Sequence, residues 1–126
     1  MKKLLFVLLL TSMCLVGCRT FPPVKNIEYQ TLAVHDQQKI EKAIISGATS
    51  KGWRVEKVKE WLIHAVLSQR AHLIEVEIPY GEDFYAIWYK HSENLRYNEK
   101  KGTIHPRYNA WIIYLSRAIN AELYRS

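Results

Sequence analysis

The chain has 126 residues, with 18 basic and 12 acidic side chains, a formal charge of +6 and only two cysteines. That length holds one domain of modest size around one core, and two cysteines exclude a disulfide-rich scaffold. The charge excess is mild and spread along the chain, a pattern of solubility and weak attraction to anionic surfaces rather than of a dedicated nucleic-acid partner.

Lys2 and Lys3 precede the apolar run Leu4 to Leu10, which is too short to span a bilayer and has the length of a signal-peptide core. The run leads to Leu15-Val16-Gly17-Cys18, which resembles the lipobox of bacterial lipoproteins. The resemblance implies cleavage of residues 1–17, diacylglycerol on the Cys18 thiol and a further acyl chain such as palmitate on the new α-amino group. Several chains anchor stably where one is marginal, at roughly 0.8 kcal/mol per buried CH₂. Arg19 stands where an aspartate would resemble an inner-membrane retention signal, so the expected address is the periplasmic face of the outer membrane.

Cleavage removes Cys14 and lipidation uses Cys18, which leaves no disulfide. It also takes two of the 18 basic side chains, leaving sixteen against 12 acidic ones and a mature charge of about +4 over residues 18–126.

Residues 18–26 contain Phe21-Pro22-Pro23 and read as the lipidated cysteine and a short tether; residues 27–126 form the domain. Ile27 to Val34 reads as a weakly patterned strand or an extended arm. From Gln37 to Lys51 the spacing of Ile40, Ala43, Ile44, Gly47 and Ala48 predicts a helix capped by Asp36, and its small residues suggest a close approach to a sheet. Alternation then predicts strands around Trp53 to Lys59, Ile63 to Leu67, Ile74 to Ile78 and Phe84 to Lys90. The first carries charges suited to an edge, and the last, apolar on both faces, to an interior position. Pro106 opens a second helix with the stripe Tyr108, Ile112, Leu115, Ile119 and Leu123. The expected fold is α+β, a four-stranded antiparallel meander with two helices on one face in the order α-β-β-β-β-α.

Five histidines, His35, His64, His72, His91 and His105, occur without H-x-x-x-H or H-E-x-x-H spacing, so no metal site is expected. The chain has no G-x-S-x-G and no glycine-rich phosphate loop, and no catalytic residue or cofactor is expected. Glu75 and Glu77 share a face and read as a solvated sheet surface. Arg70 and His72 fall in phase with Ile74 and Val76, where a bare charge is costly. Either they reach the rim and bind an anionic or carbonyl group, or Arg70 caps helix carbonyls, and the structural role is the favoured expectation. Phe84 and Trp88, with Trp61 beside them, mark a contact surface on the open sheet face unless the N-terminal arm covers it.

Tyr85-Ala86-Ile87-Trp88-Tyr89-Lys90-His91-Ser92-Glu93-Asn94-Leu95-Arg96-Tyr97 and Ile104-His105-Pro106-Arg107-Tyr108-Asn109-Ala110-Trp111, with Gly52-Trp53 and Arg70-x-His72, resemble a group of small uncharacterised proteobacterial lipoproteins. The resemblance implies no activity. It nominates Arg70, His72, Ser92, Asn94, His105, Tyr108 and Asn109 as one polar cluster of ligand or structural role. The expected function is a non-enzymatic envelope lipoprotein that sits on the membrane through Cys18 and binds an envelope protein or peptidoglycan, with no nucleic acid. The alternative is a periplasmic hydrolase or other enzyme using the Ser92 and His105 region.

Overall fold

The computed structural model describes residues 20–125. The signal segment, the lipobox and Cys18 lie outside the described residues. The elements run β1 (Ile27–Thr31), α1 (Gln37–Ser50), β2 (Arg54–Lys59), β3 (Leu62–Gln69), β4 (His72–Pro79), β5 (Phe84–Glu93) and α2 (Pro106–Arg125).

The class is α+β as expected, but the sheet has five antiparallel strands rather than four, in the order β1-β5-β4-β3-β2. The added strand is the Ile27 arm, which pairs with β5 through Ile27↔Ile87 and Thr31↔Phe84, with a register shift between Ile27 and Gln30. Its own sequence carries little period-two signal, because an edge strand that buries few side chains is selected by its partner's open ladder. Charged β2 takes the other edge, and β5 becomes an interior strand.

Register places one apolar layer on one face. Ile63↔Ile78, Ala65↔Val76 and Leu67↔Ile74 are cross-strand pairs, and all six side chains are buried. Burying each large member is worth roughly 1.5–3 kcal/mol. Between β4 and β5 the register slips so that Glu75 faces His91 while Val76 faces Tyr89, leaving Lys90 as the extra residue of a bulge. The slip keeps Tyr85, Ile87 and Tyr89 on the helix side and sends Trp88 to the open side opposite Glu77.

Both helices cover the apolar face. The Asp36 carboxylate accepts from the Gln38 and Lys39 amides and caps α1, whose buried stripe is Ile40, Ala43, Ile44, Gly47 and Ala48. Gly47 of that stripe serves a helix contact rather than the expected sheet contact: a Cβ there would lie 2.7 Å from the Ile119 amide nitrogen of α2. On α2 the buried residues are Tyr108, Ile112, Leu115, Ile119 and Leu123, the predicted stripe. The Tyr85 hydroxyl donates to Asn120 Oδ1 at 2.6 Å and ties β5 to α2.

Tyr80, Glu41 and Lys57 tie α1 to the sheet. The Tyr80 hydroxyl donates to Glu41 Oε1 at 3.1 Å, and Lys57 Nζ lies 2.8 Å from the same oxygen. The Lys57 ammonium, helped by the tyrosine hydroxyl, holds the Glu41 carboxyl below the usual carboxylate range against the opposing effect of burial. Burial first, then the hydrogen bond to Glu41, pushes the Tyr80 hydroxyl up to about 12. A carboxyl with a lowered folded-state pKa contributes stability above its unfolded-state value, and that stability disappears as pH falls through the folded value. Glu41→Gln should therefore be less stable than the parent at neutral pH, by under about 1 kcal/mol for so exposed a pair. The difference should close in urea melts under acid conditions; a constant gap across pH would remove the ion pair as its cause.

Tyr108 is fully buried, and its hydroxyl has no hydrogen-bond partner among the described residues. Burial raises its pKa far above the ordinary tyrosine value, with the neighbouring Tyr89 adding to the shift. A buried, unsatisfied hydroxyl costs about 1–3 kcal/mol. Tyr108→Phe should keep the ring packing and raise stability by about 1 kcal/mol, read as a higher urea midpoint. A lowered midpoint would show that the hydroxyl is satisfied in solution.

Candidate functional site

The polar residues gather at the end of the sheet where β3 turns into β4 and β5 runs out. Gln69↔His72 closes the β3–β4 hairpin over Arg70 and Ala71. Arg70 adopts φ 55, a left-handed conformation that glycine adopts without a Cβ penalty and that costs another residue about 1–2 kcal/mol. Its guanidinium has no hydrogen bond and no carboxylate partner among the described residues, so the expected cap on helix carbonyls is not formed. Instead Arg70 lines an open cleft of about 510 Å³ with Gln69, His72, Arg107, Trp111 and Tyr114.

His72 keeps the phase expected of it, turned towards α2 at the rim. Its Nδ1 lies 2.9 Å from the Asn94 carbonyl oxygen, which fixes Nδ1 as the protonated nitrogen and leaves Nε2 as an acceptor. Arg107 Nη1 lies 3.4 Å from that Nε2, and the Trp111 ring stands 5.9 Å from the imidazole. Asn94 is itself held by its side-chain amide, which donates to the Ala71 carbonyl at 2.5 Å. The β3–β4 turn, the chain after β5 and the first turn of α2 are thus linked through three side chains.

The rest of the nominated cluster separates into other tasks. Ser92 Oγ shares a 2.9 Å hydrogen bond with the Tyr89 hydroxyl and has none to a histidine or carboxylate among the described residues. His105 precedes α2 as its cap, with Nδ1 accepting from the Arg107 amide at 3.1 Å. Tyr108 lies in the core. Asn109 clamps the N-terminal segment: Oδ1 accepts from the Lys25 amide at 2.9 Å and Nδ2 donates to the Pro23 carbonyl at 3.0 Å.

That segment, read in the sequence as a tether, lies along the domain. Pro23 bridges Thr103, the Val24 amide donates to Gly102, and the Ile104 amide donates to the Pro22 carbonyl. Prolines lack the amide donor, so Pro22 and Pro23 enter these contacts through their carbonyls alone. The Asn26 side chain accepts from the Tyr89 amide at 2.9 Å and leads the chain into β1.

On the open face, Tyr29 of β1 stacks edge-on against Phe84 at 5.0 Å and Trp88 at 5.4 Å. The arm therefore joins the aromatic patch and covers it only in part, with Trp88 still 36% exposed and Tyr29 51%. Trp61 does not join them. It sits in the β2–β3 turn with Lys59 Nζ 5.2 Å from its ring centre. Its backbone carbonyl accepts from the Tyr80 amide.

Arg107, Trp111, Tyr114 and Tyr29 are the site and surface residues that sequence reasoning passed over. A basic residue beside a helix cap was visible at Arg107, but its neighbourhood with Arg70 follows only from where α2 begins in space. Among the described residues no group of three or more histidines, cysteines or acidic residues is placed to hold a metal ion. Compared with protein-family models, curated proteins and solved structures, the chain matches none.

Proposed function

We propose that the protein is a membrane-anchored envelope lipoprotein, a non-enzymatic binding or structural module held by lipid on Cys18 and facing the periplasm from the outer membrane. The lipobox and its preceding apolar run supply the signal for lipid attachment at Cys18. The observation that carries the reading furthest is the docking of residues 22–25 against the 102–109 region.

Cys18 lies four residues before Pro22, a reach of at most about 14 Å. A lipid on that cysteine holds the Arg70, Asn94 and Arg107 end of the domain near the bilayer and leaves the opposite end of the sheet free. The expected class of partner is an envelope protein or peptidoglycan.

Radiolabelled palmitate should enter the parent chain in cells and not the Cys18→Ser variant; equal labelling would end the lipid-anchor reading. Crosslinking in intact cells followed by capture of the protein should recover a specific envelope partner or peptidoglycan fragments. Capture of neither, with Trp88 still exposed, would count against a binding role.

A further inference from the structure

We infer that the cleft between the β3–β4 turn and the first turns of α2 is a phosphate-binding site, made by Arg70 and Arg107 with His72 as a positioning residue. Both arginines line one open cleft, no carboxylate lines it with them, and neither has an ion-pair partner among the described residues. Two arginines in one cleft, neither facing a carboxylate, match the charge of a phosphate group and the number of donors it accepts, whereas a single carboxylate is satisfied by one arginine fork.

The neighbourhood is already ordered for this task. His72 Nε2 receives Arg107 Nη1 at 3.4 Å while Nδ1 is held by the Asn94 carbonyl, so the imidazole sets one wall and steers one guanidinium. On the other side of the cleft Arg70 is carried on a two-residue turn in a conformation that disfavours its Cβ. Trp111 and Tyr114 supply an aromatic wall suited to the glycerol or sugar carrying the phosphate.

The surrounding surface has the same sign. The segments at this end carry Lys25, Arg96, Lys100 and Lys101 in addition to the two arginines, against Glu93 and Glu99. Such a field raises the local concentration of anions. The phosphate arrives either on a soluble molecule or on a lipid headgroup. The cleft chemistry stands by itself, and only supply by the bilayer rests on the lipid-anchored reading.

The test uses the full chain purified in a non-ionic maltoside detergent, which contains no phosphate. Inorganic phosphate should bind it saturably at one site in calorimetry. Arg70→Gly and Arg107→Gln should each weaken that binding about tenfold or more, the scale of losing one charge-assisted contact. Arg70→Gly relieves the backbone strain, so an unchanged or higher urea midpoint separates lost binding from lost fold.

The second arm places the protein in vesicles of phosphatidylglycerol or of phosphatidylcholine and reads arginine modification by phenylglyoxal. Protection of Arg70 and Arg107 only in phosphatidylglycerol, with Arg54 equally reactive in both, assigns the phosphate to a lipid headgroup. Binding of free phosphate without that protection assigns it to a soluble molecule. No phosphate binding and no protection overturns the site, as does full-strength binding by both variants. Phosphate binding by a chain that carries no lipid on Cys18 keeps the site and removes the anchor.

Discussion

Gly47→Ala should destabilise the protein by about 2 kcal/mol, although alanine is favoured over glycine inside a helix by about 1 kcal/mol. Intrinsic propensity alone predicts the opposite sign. Gly47 is buried in the middle of α1, and a Cβ there would meet the Ile119 amide nitrogen at 2.7 Å, the Ile119 Cα at 2.8 Å and the Ala118 carbonyl carbon at 2.9 Å. All three atoms are backbone, so no side chain can rotate away and the helices must part.

Parting them strips contacts from Ile44, Leu115 and Ile119, which are fully buried. Overpacking of this kind costs about 1–3 kcal/mol and more where the obstacle is rigid, enough to outweigh the propensity gain. For a domain of this size the loss should appear as a fall in the thermal midpoint of roughly 10 °C. Ser46→Ala, on the exposed side of the same turn, should leave the midpoint nearly unchanged. A Gly47→Ala protein more stable than its parent would refute the close helix crossing.

Leu95→Ala should cost about 3 kcal/mol and loosen the cleft at the same time. Leu95 is 1% exposed and is flanked by Asn94 at φ 61 and Arg96 at φ 54, so the chain makes two left-handed steps around one buried side chain. Its carbonyl accepts from the His105 amide at 2.8 Å, which joins this loop to the start of α2. Removing a buried leucine costs 2–5 kcal/mol, and here the same side chain holds two residues in a costly backbone conformation.

Asn94 supplies the carbonyl that orients His72, so the variant should lose order at His72 as well as stability. The His72 ring proton resonances report this directly. Sharp, parent-like His72 signals in the destabilised variant would show that the cleft is held from elsewhere. Val66→Ala, on the open side of β3, removes apolar volume without this connection and should leave those signals in place.

Much of the fold was legible in the sequence because most elements carry their own periodicity. The α2 stripe from Tyr108 to Leu123 and the α1 stripe with its Asp36 cap match the buried residues, since a long amphipathic helix declares its inner face by spacing alone. Ile74, Val76 and Ile78 face the core because Glu75 and Glu77 belong in water. Charged β2 was readable as an edge and doubly apolar β5 as an interior strand for the same reason. The β1 arm was not readable as the fifth strand, because its ladder is defined by β5, about sixty residues further along the chain.

The small residues of α1 declared a close approach, read in the sequence as one to the sheet, because spacing does not identify the neighbour. Which surface came near Gly47 depended on how the two helices cross over the sheet, and the backbone of α2 filled the space. The polar residues divide in the same manner. Arg70, His72, Asn94 and Asn109 stood out by type, but type does not reveal which of them meet.

Asn109 and His105 turned to the N-terminal segment and the helix cap, while His72 and Asn94 were joined by the ends of two strands. Arg107 entered the cleft because the second helix starts beside the β3–β4 turn. Local spacing determined the helices, the core-facing residues and the candidate signal for lipid attachment, all of which depend on near neighbours along the chain. Tertiary structure alone decided the fifth strand, the helix crossing and the placing of two arginines in one cleft, because each depends on contacts between segments far apart in sequence.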